Sequence, residues 1–107
     1  MKIVKVSDDG IEFDDGSTLV AHHEQDCCEQ VYADFCVLKD QFIMDVEFDS
    51  VEIQKVEGSG FRLNKTFIPC YNKQNGYYSD RLELRLLLAG GDLQVIDISD
   101  CVEEHIF

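Results

Sequence analysis

The sequence predicts a mainly β protein, an antiparallel meander folded as a sandwich or an open barrel. Three observations lead to this prediction. Apolar and polar residues alternate in many short runs, which is typical of half-buried strands. Turn sequences rich in Asp, Asn and Gly separate these runs at short intervals. The 107 residues contain no repeat and no linker, so we expect residues 1–107 to form a single domain.

Three strands are predicted in the N-terminal part, separated by Asp-Gly and Asp-Asp-Gly-Ser turns: residues 2–6, 11–13 and 18–23. The third strand ends on two adjacent histidines, His22 and His23. Neighbouring residues of a strand point to opposite faces of the sheet. At most one of these histidines can therefore readily join a given site.

The segment 26–38 is compatible with two structures. Asp26 and Glu29 match a capping box, and the apolar residues after them fit a helical spacing. This pattern favours one short helix and would make the fold α+β. Alternate residues from Val31 to Val37 are also apolar, as they are on one face of a strand. We favour a tight turn that leads into a strand.

Further strands are predicted at residues 42–48, 51–55, 61–63 and 66–71. Asn75–Gly76 is the strongest hairpin signal in the chain. After it, a long half-buried strand extends to Leu88, with Leu82, Leu84 and Leu86 on one face. Its predicted partner is residues 93–98, and a final helical turn is predicted at residues 100–104.

Charge and composition exclude several classes of function. The net charge is −13, which argues against direct binding to nucleic acid and to an anionic membrane surface. The longest apolar run, Leu86–Ala89, is far short of the roughly 20 residues of a membrane-spanning helix. The N-terminus lacks the features of a signal peptide, so we expect a cytoplasmic protein. The five cysteines are odd in number and irregularly spaced, which favours reduced thiols.

One short stretch concentrates side chains that could bind a metal or act as nucleophiles: His23, Asp26, Cys27, Cys28 and Glu29. Zinc binds through Cys sulfur, His nitrogen and carboxylate oxygen, so zinc is the cofactor that His23, Cys27 and Cys28 would suit. The spacing is a weak signal, because structural zinc sites use Cys-x-x-Cys. A cysteine nucleophile with His23 as its base is a second interpretation. The third interpretation is purely structural: the cysteines are buried as small apolar groups, and the acidic residues cap backbone amides.

Two motifs together resemble a family of small uncharacterised bacterial and phage proteins, a domain of unknown function. These motifs are H-x-Q-D-C-C-E, which ends at Glu29, and N-G-Y-Y-S, which begins at Asn75. The family has no established activity, so the resemblance implies relatives without implying a function. It implies that His23 is the family histidine and that the two motifs meet in space. The candidate site then also includes Asn75, Tyr77 and Tyr78.

The function that we predict from the sequence is that of a noncatalytic interaction or accessory protein with a protein partner. A metal- or thiol-dependent activity centred on the His23–Glu29 motif is the main alternative. A second alternative is an acidic mimic of nucleic acid that occupies a DNA-binding protein, which the net charge of −13 would suit. The sequence does not decide whether the protein is an enzyme.

Overall fold

The described part of the chain folds into ten short strands and two 3-10 helices. A computed structural model of the protein describes residues 1–23, 30–40, 46–74 and 81–106. The strands are β1 Ile3–Val6, β2 Gly10–Phe13, β3 Thr18–His22, β4 Gln30–Ala33, β5 Ile53–Val56, β6 Gly60–Leu63, β7 Thr66–Gln74, β8 Glu83–Leu87, β9 Leu93–Asp97 and β10 Glu103–Ile106. The 3-10 helices are Phe35–Asp40 and Ser99–Cys101.

The first sheet has five antiparallel strands in the order β1-β2-β3-β8-β9. Its inner face is the apolar set that alternation predicts, with Leu19 paired with Leu86 and both side chains buried. The turn from Ser7 to Gly10 joins β1 to β2, and the amide of Ser7 donates to the carbonyl oxygen of Gly10. Asp8 and Asp9 lie in this turn, and the carbonyl oxygen of Asp9 accepts from the amide of Ala21 in β3.

The second sheet has the order β10-β7-β6-β5, and β4 also pairs with β7. The long strand β7 pairs with β6 through its first half and with β4 and β10 through its second half. All of these pairings are antiparallel except that of β10, which runs parallel to β7. β7 is therefore the strand around which this sheet is built.

One apolar core lies between the sheets. Its largest fully buried side chains include Phe35 and Phe61, whose rings meet edge to face with centroids 6.1 Å apart. The first 3-10 helix contributes Phe35 and Leu38 to this core, so it closes one side of the sandwich. The prediction of a mainly β, largely antiparallel fold is thus confirmed.

Several predicted elements differ from the observed ones. In the ambiguous segment, β4 confirms the strand at residues 30–33, but the chain then turns into a 3-10 helix; residues 26–29 lie outside the described part. Residues 46–48 form no strand, although they alternate. The predicted helical turn at 100–104 is confirmed only at its first two residues. The 3-10 helix there ends at Cys101, and residues from Glu103 onward pair with β7.

The described helical segments are only 3 and 6 residues long, and none has the length and apolar character needed to cross a membrane.

Candidate functional site

The sequence-predicted site is described only at its first residue, His23. Its Nδ1 lies 2.5 Å from the carbonyl oxygen of Arg81, so the protonated Nδ1 donates to that carbonyl. This hydrogen bond joins the end of β3 to the residues that precede β8. The other predicted site residues lie outside the described part of the chain: Asp26, Cys27, Cys28, Glu29, Asn75, Tyr77 and Tyr78.

The described flanks of the two motifs are neighbours on both sides. His22 directly precedes the first motif, and it pairs with Glu83, which follows the second motif. Gln30 directly follows the first motif, and it pairs with Lys73, which precedes the second motif. The described residues that flank the two motifs are thus paired on both sides. The motif residues after His23 lie outside the described ranges, so their meeting stays a prediction.

Zinc binding stays a prediction. Among the residues that the structure describes, no group of three or more His, Cys, Asp and Glu side chains could hold a metal ion. Two of the three proposed zinc ligands, Cys27 and Cys28, belong to the part of the chain that is not described.

The three described cysteines are free thiols. Burial raises the pKa of Cys70 to about 12, and the neighbouring Cys101 adds to this effect. Burial also raises the pKa of Cys101. Both thiols therefore stay protonated near neutral pH and pack as small apolar groups. Cys36 is the only one of the three that is half-exposed.

A cleft of about 390 Å³ lies between β4 and the β1–β2 turn. Asp8 and Asp9 border it from the turn, and the β4 segment and Cys36 border it from the other side. Val31 and Ala33 line it although only 4% and 1% of their surface is exposed. We infer that they reach the cleft mainly through main-chain atoms.

The direction of the β4 hydrogen bonds supports this inference. The amide of Asp34 donates to the carbonyl oxygen of Pro69 in β7 at 2.8 Å. Along an extended strand, the main-chain groups of successive residues alternate between the two edges. The amides of Tyr32 and Asp34 therefore point toward β7, whereas those of Val31 and Ala33 point away from it, toward the side on which the cleft lies. No described strand pairs with this second edge of β4.

A thiol–carboxylate contact closes one end of the cleft. The Cys36 thiol donates to Oδ1 of Asp8 at 3.1 Å, and Oδ1 of Asp34 accepts the Cys36 amide at 3.2 Å. The hydrogen bond to Asp8 raises the pKa of Cys36, with a smaller contribution from desolvation. The contact holds the β1–β2 turn against the start of the first 3-10 helix. It also keeps Cys36 in its weakly nucleophilic, protonated form.

An aromatic pair lies on the face of the second sheet beside the cleft. The rings of Tyr32 and Tyr71 are 5.5 Å apart between centroids, as expected for directly paired residues of β4 and β7. Lys73 Nζ is 5.8 Å from the first ring centroid and 5.4 Å from the second. These distances allow cation–π attraction. The pair fixes Tyr32, which lines the cleft, against β7.

Sequence reasoning did not identify the cleft. It treated Asp8 and Asp9 as turn residues and Tyr32 as part of an ambiguous segment. Asp8 and Cys36 are 28 residues apart, so no local pattern connects them. One signal was available: the β4 sequence Gln-Val-Tyr-Ala is short, β-prone and uncharged.

Comparisons of the chain with protein-family models, curated proteins and solved structures found no match. The resemblance to the small bacterial and phage family therefore stays a prediction that rests on the two motifs.

Proposed function

We propose that this protein is a noncatalytic interaction protein that binds a protein partner along the open edge of β4. An extended segment of the partner would become an additional strand of the second sheet. Main-chain hydrogen bonds would supply affinity, and the side chains at the cleft would supply specificity.

One observation supports this proposal above the others: β4 is the only described edge strand without a charged residue. Each of the other edge strands carries one or more: β1 Lys5, β5 Lys55, β9 Asp97 and β10 Glu103. Charged side chains on an edge strand discourage pairing with another chain. β4 lacks this protection, and its edge away from β7 borders the cleft.

The chemistry of the cleft favours binding over nucleophilic catalysis. Its thiol, Cys36, has a raised pKa and donates a hydrogen bond to the Asp8 carboxylate while keeping its proton. A cysteine nucleophile needs a lowered pKa or an adjacent base. The described residues that line the cleft include no histidine to act as that base.

The metal or thiol activity of the His23–Glu29 motif and the mimicry of nucleic acid remain alternative predictions. We place the interaction in the cytoplasm, because the three described cysteines are free thiols and a reducing compartment preserves them.

The proposal can be tested with a display library of random seven-residue peptides. Peptides selected on the intact protein are added to isotope-labelled protein, and backbone amide shifts are followed by NMR. We expect the largest shifts at the amides of Val31 and Ala33, together with slower exchange of these two amides with solvent. The amides of β9, a second open edge, serve as the internal control and should stay unchanged.

Methylation of the bound peptide tests strand addition directly. An added strand uses the amides of alternate residues, so N-methyl groups at one set of positions should abolish binding. N-methyl groups at the other set should leave binding nearly unchanged. Equal effects of the two sets would overturn strand addition, as would the absence of any selected peptide that shifts the β4 amides.

A further inference from the structure

The open edge of β4 faces carboxylates. Asp8 and Asp9 form the opposite wall of the cleft, and Asp34 follows the strand directly. The described residues that line the cleft include these three aspartates and no basic side chain. A strand inserted between β4 and the turn would therefore lie in a negative field on two sides.

The strand geometry defines where positive charges would be placed. Gln30, Tyr32 and Asp34 alternate along β4 and so share one face of the sheet. Alternate side chains of an added strand lie on this same face, beside Tyr32 and Asp34. Lysine or arginine at these positions would lie beside the Asp34 carboxylate. Cationic side chains near the turn would pair with Asp8 and Asp9.

We propose that the partner segment is an extended peptide with lysine or arginine at alternate positions. This inference rests on the proposed function and specifies its partner. The open edge and the cleft provide the binding surface, and the three carboxylates select the charge of the occupant. A second copy of this chain fits less well, because each copy carries a net charge of −13 and would bring its own aspartates toward the same cleft.

Four peptides with blocked termini test the charge preference. Each has seven residues, with valine at positions 1, 3, 5 and 7 and one variable residue at the other three positions. The variable residue is lysine, arginine, serine or glutamate. We expect the lysine and arginine peptides to bind most tightly and the glutamate peptide least, in titrations followed by calorimetry and by the amide shifts of Val31 and Ala33. Higher salt should weaken the cationic peptides most.

Paired variants separate the cleft from the overall charge of the protein. Asp8→Asn with Asp9→Asn removes two charges from the cleft wall and keeps side chains that suit a turn. Asp49→Asn with Asp92→Asn removes two charges from exposed positions that do not line the cleft. Exposed charge pairs contribute little individually, so we expect the first double variant to weaken the lysine peptide by about five- to tenfold. The second should change it by less than about twofold.

Each outcome has a definite meaning. Tight cationic binding that depends on Asp8 and Asp9 would support the inference. Serine or glutamate peptides that bind the β4 edge equally well would overturn the inference and leave the proposed function standing. Equal losses in the two double variants would also overturn it, because the attraction would then come from overall charge. If no peptide, selected or designed, shifts the β4 amides, both proposals fail.

Discussion

Gly10→Ala should destabilise the protein strongly, because the β3 backbone occupies the space that a β-carbon on residue 10 would need. A β-carbon on residue 10 would lie 2.2 Å from the carbonyl oxygen of Leu19 and 3.0 Å from the α-carbon of Val20. Ordinary contact begins at 3.4 Å, so the shortfall to the oxygen exceeds 1 Å. Both neighbouring atoms belong to the backbone of β3, and neither can rotate away. The two strands must separate locally and lose ladder hydrogen bonds.

The expected loss of unfolding free energy is about 2–4 kcal/mol, which combines overpacking with weakened hydrogen bonds. Urea denaturation measures it, and the midpoint should fall by about 1–2 M for a protein of this size. Gly90→Ala is the matched control, because no atom lies within 4 Å of the added β-carbon. It should change stability by no more than about 0.5 kcal/mol. A Gly10→Ala protein that matches the Gly90→Ala protein would refute the packing argument.

Three further predictions concern the Asp8–Cys36 contact at the cleft, the Asp97 carboxylate and the edge strand β9. Asp8→Asn should lower the pKa of Cys36 and speed its alkylation near neutral pH; an unchanged pH profile of alkylation would contradict the assigned hydrogen bond. Hydrogen bonds from the Ser99 hydroxyl and amide lower the pKa of Asp97. The ionised carboxylate therefore stabilises the fold fully above its unfolded pKa of about 3.9. This stabilisation is lost as the pH falls through the lower pKa of the folded state. The urea midpoints of Asp97→Asn and the parent should therefore converge on acidification, and a constant difference would argue against this contribution. Val95→Lys should reduce self-association in concentrated solution, measured by light scattering, because Val95 is 53% exposed on the open strand β9.

Alternation predicted strands well where one face packs on the core. Leu82, Leu84 and Leu86 are all buried, as expected for the inner face of this segment. The same criterion overpredicted a strand at residues 46–48. There the amide of Phe48 donates to the Met1 carbonyl, and the Met1 amino group donates to the Phe48 carbonyl. Val46 is 44% exposed, so this segment alternates in polarity without packing a continuous apolar face on the core. Periodicity alone therefore establishes neither burial nor pairing here.

β10 was missed for the opposite reason. Its described residues begin with Glu103 and Glu104, which have low strand propensity and no apolar alternation. The strand forms because β7 offers a free edge to which the C-terminal segment pairs in parallel, with Glu103 opposite Tyr71. Tertiary pairing of this kind depends on sheet order, which no local window of sequence contains.

The candidate site could not be predicted from the sequence either, because it also depends on the order of strands in the sheets. An uncharged tetrapeptide is unremarkable in a central strand, where both edges are paired, and becomes informative only in an edge strand. The observed sheet order makes β4 such a strand, and the β1–β2 turn places Asp8 and Asp9 opposite its free edge.

The proposed function requires that the unprotected edge of β4 does not pair with a second copy of the chain. Two copies that met edge to edge through β4 would bring their Asp8, Asp9 and Asp34 carboxylates together, in addition to the repulsion between net charges of −13. A cationic strand would instead be attracted to each of these carboxylates. Under the proposed function, the carboxylates disfavour self-pairing and favour one class of partner, whereas a lysine within β4 would oppose both. Protection placed across the cleft, rather than within the strand, would then leave this edge usable for binding.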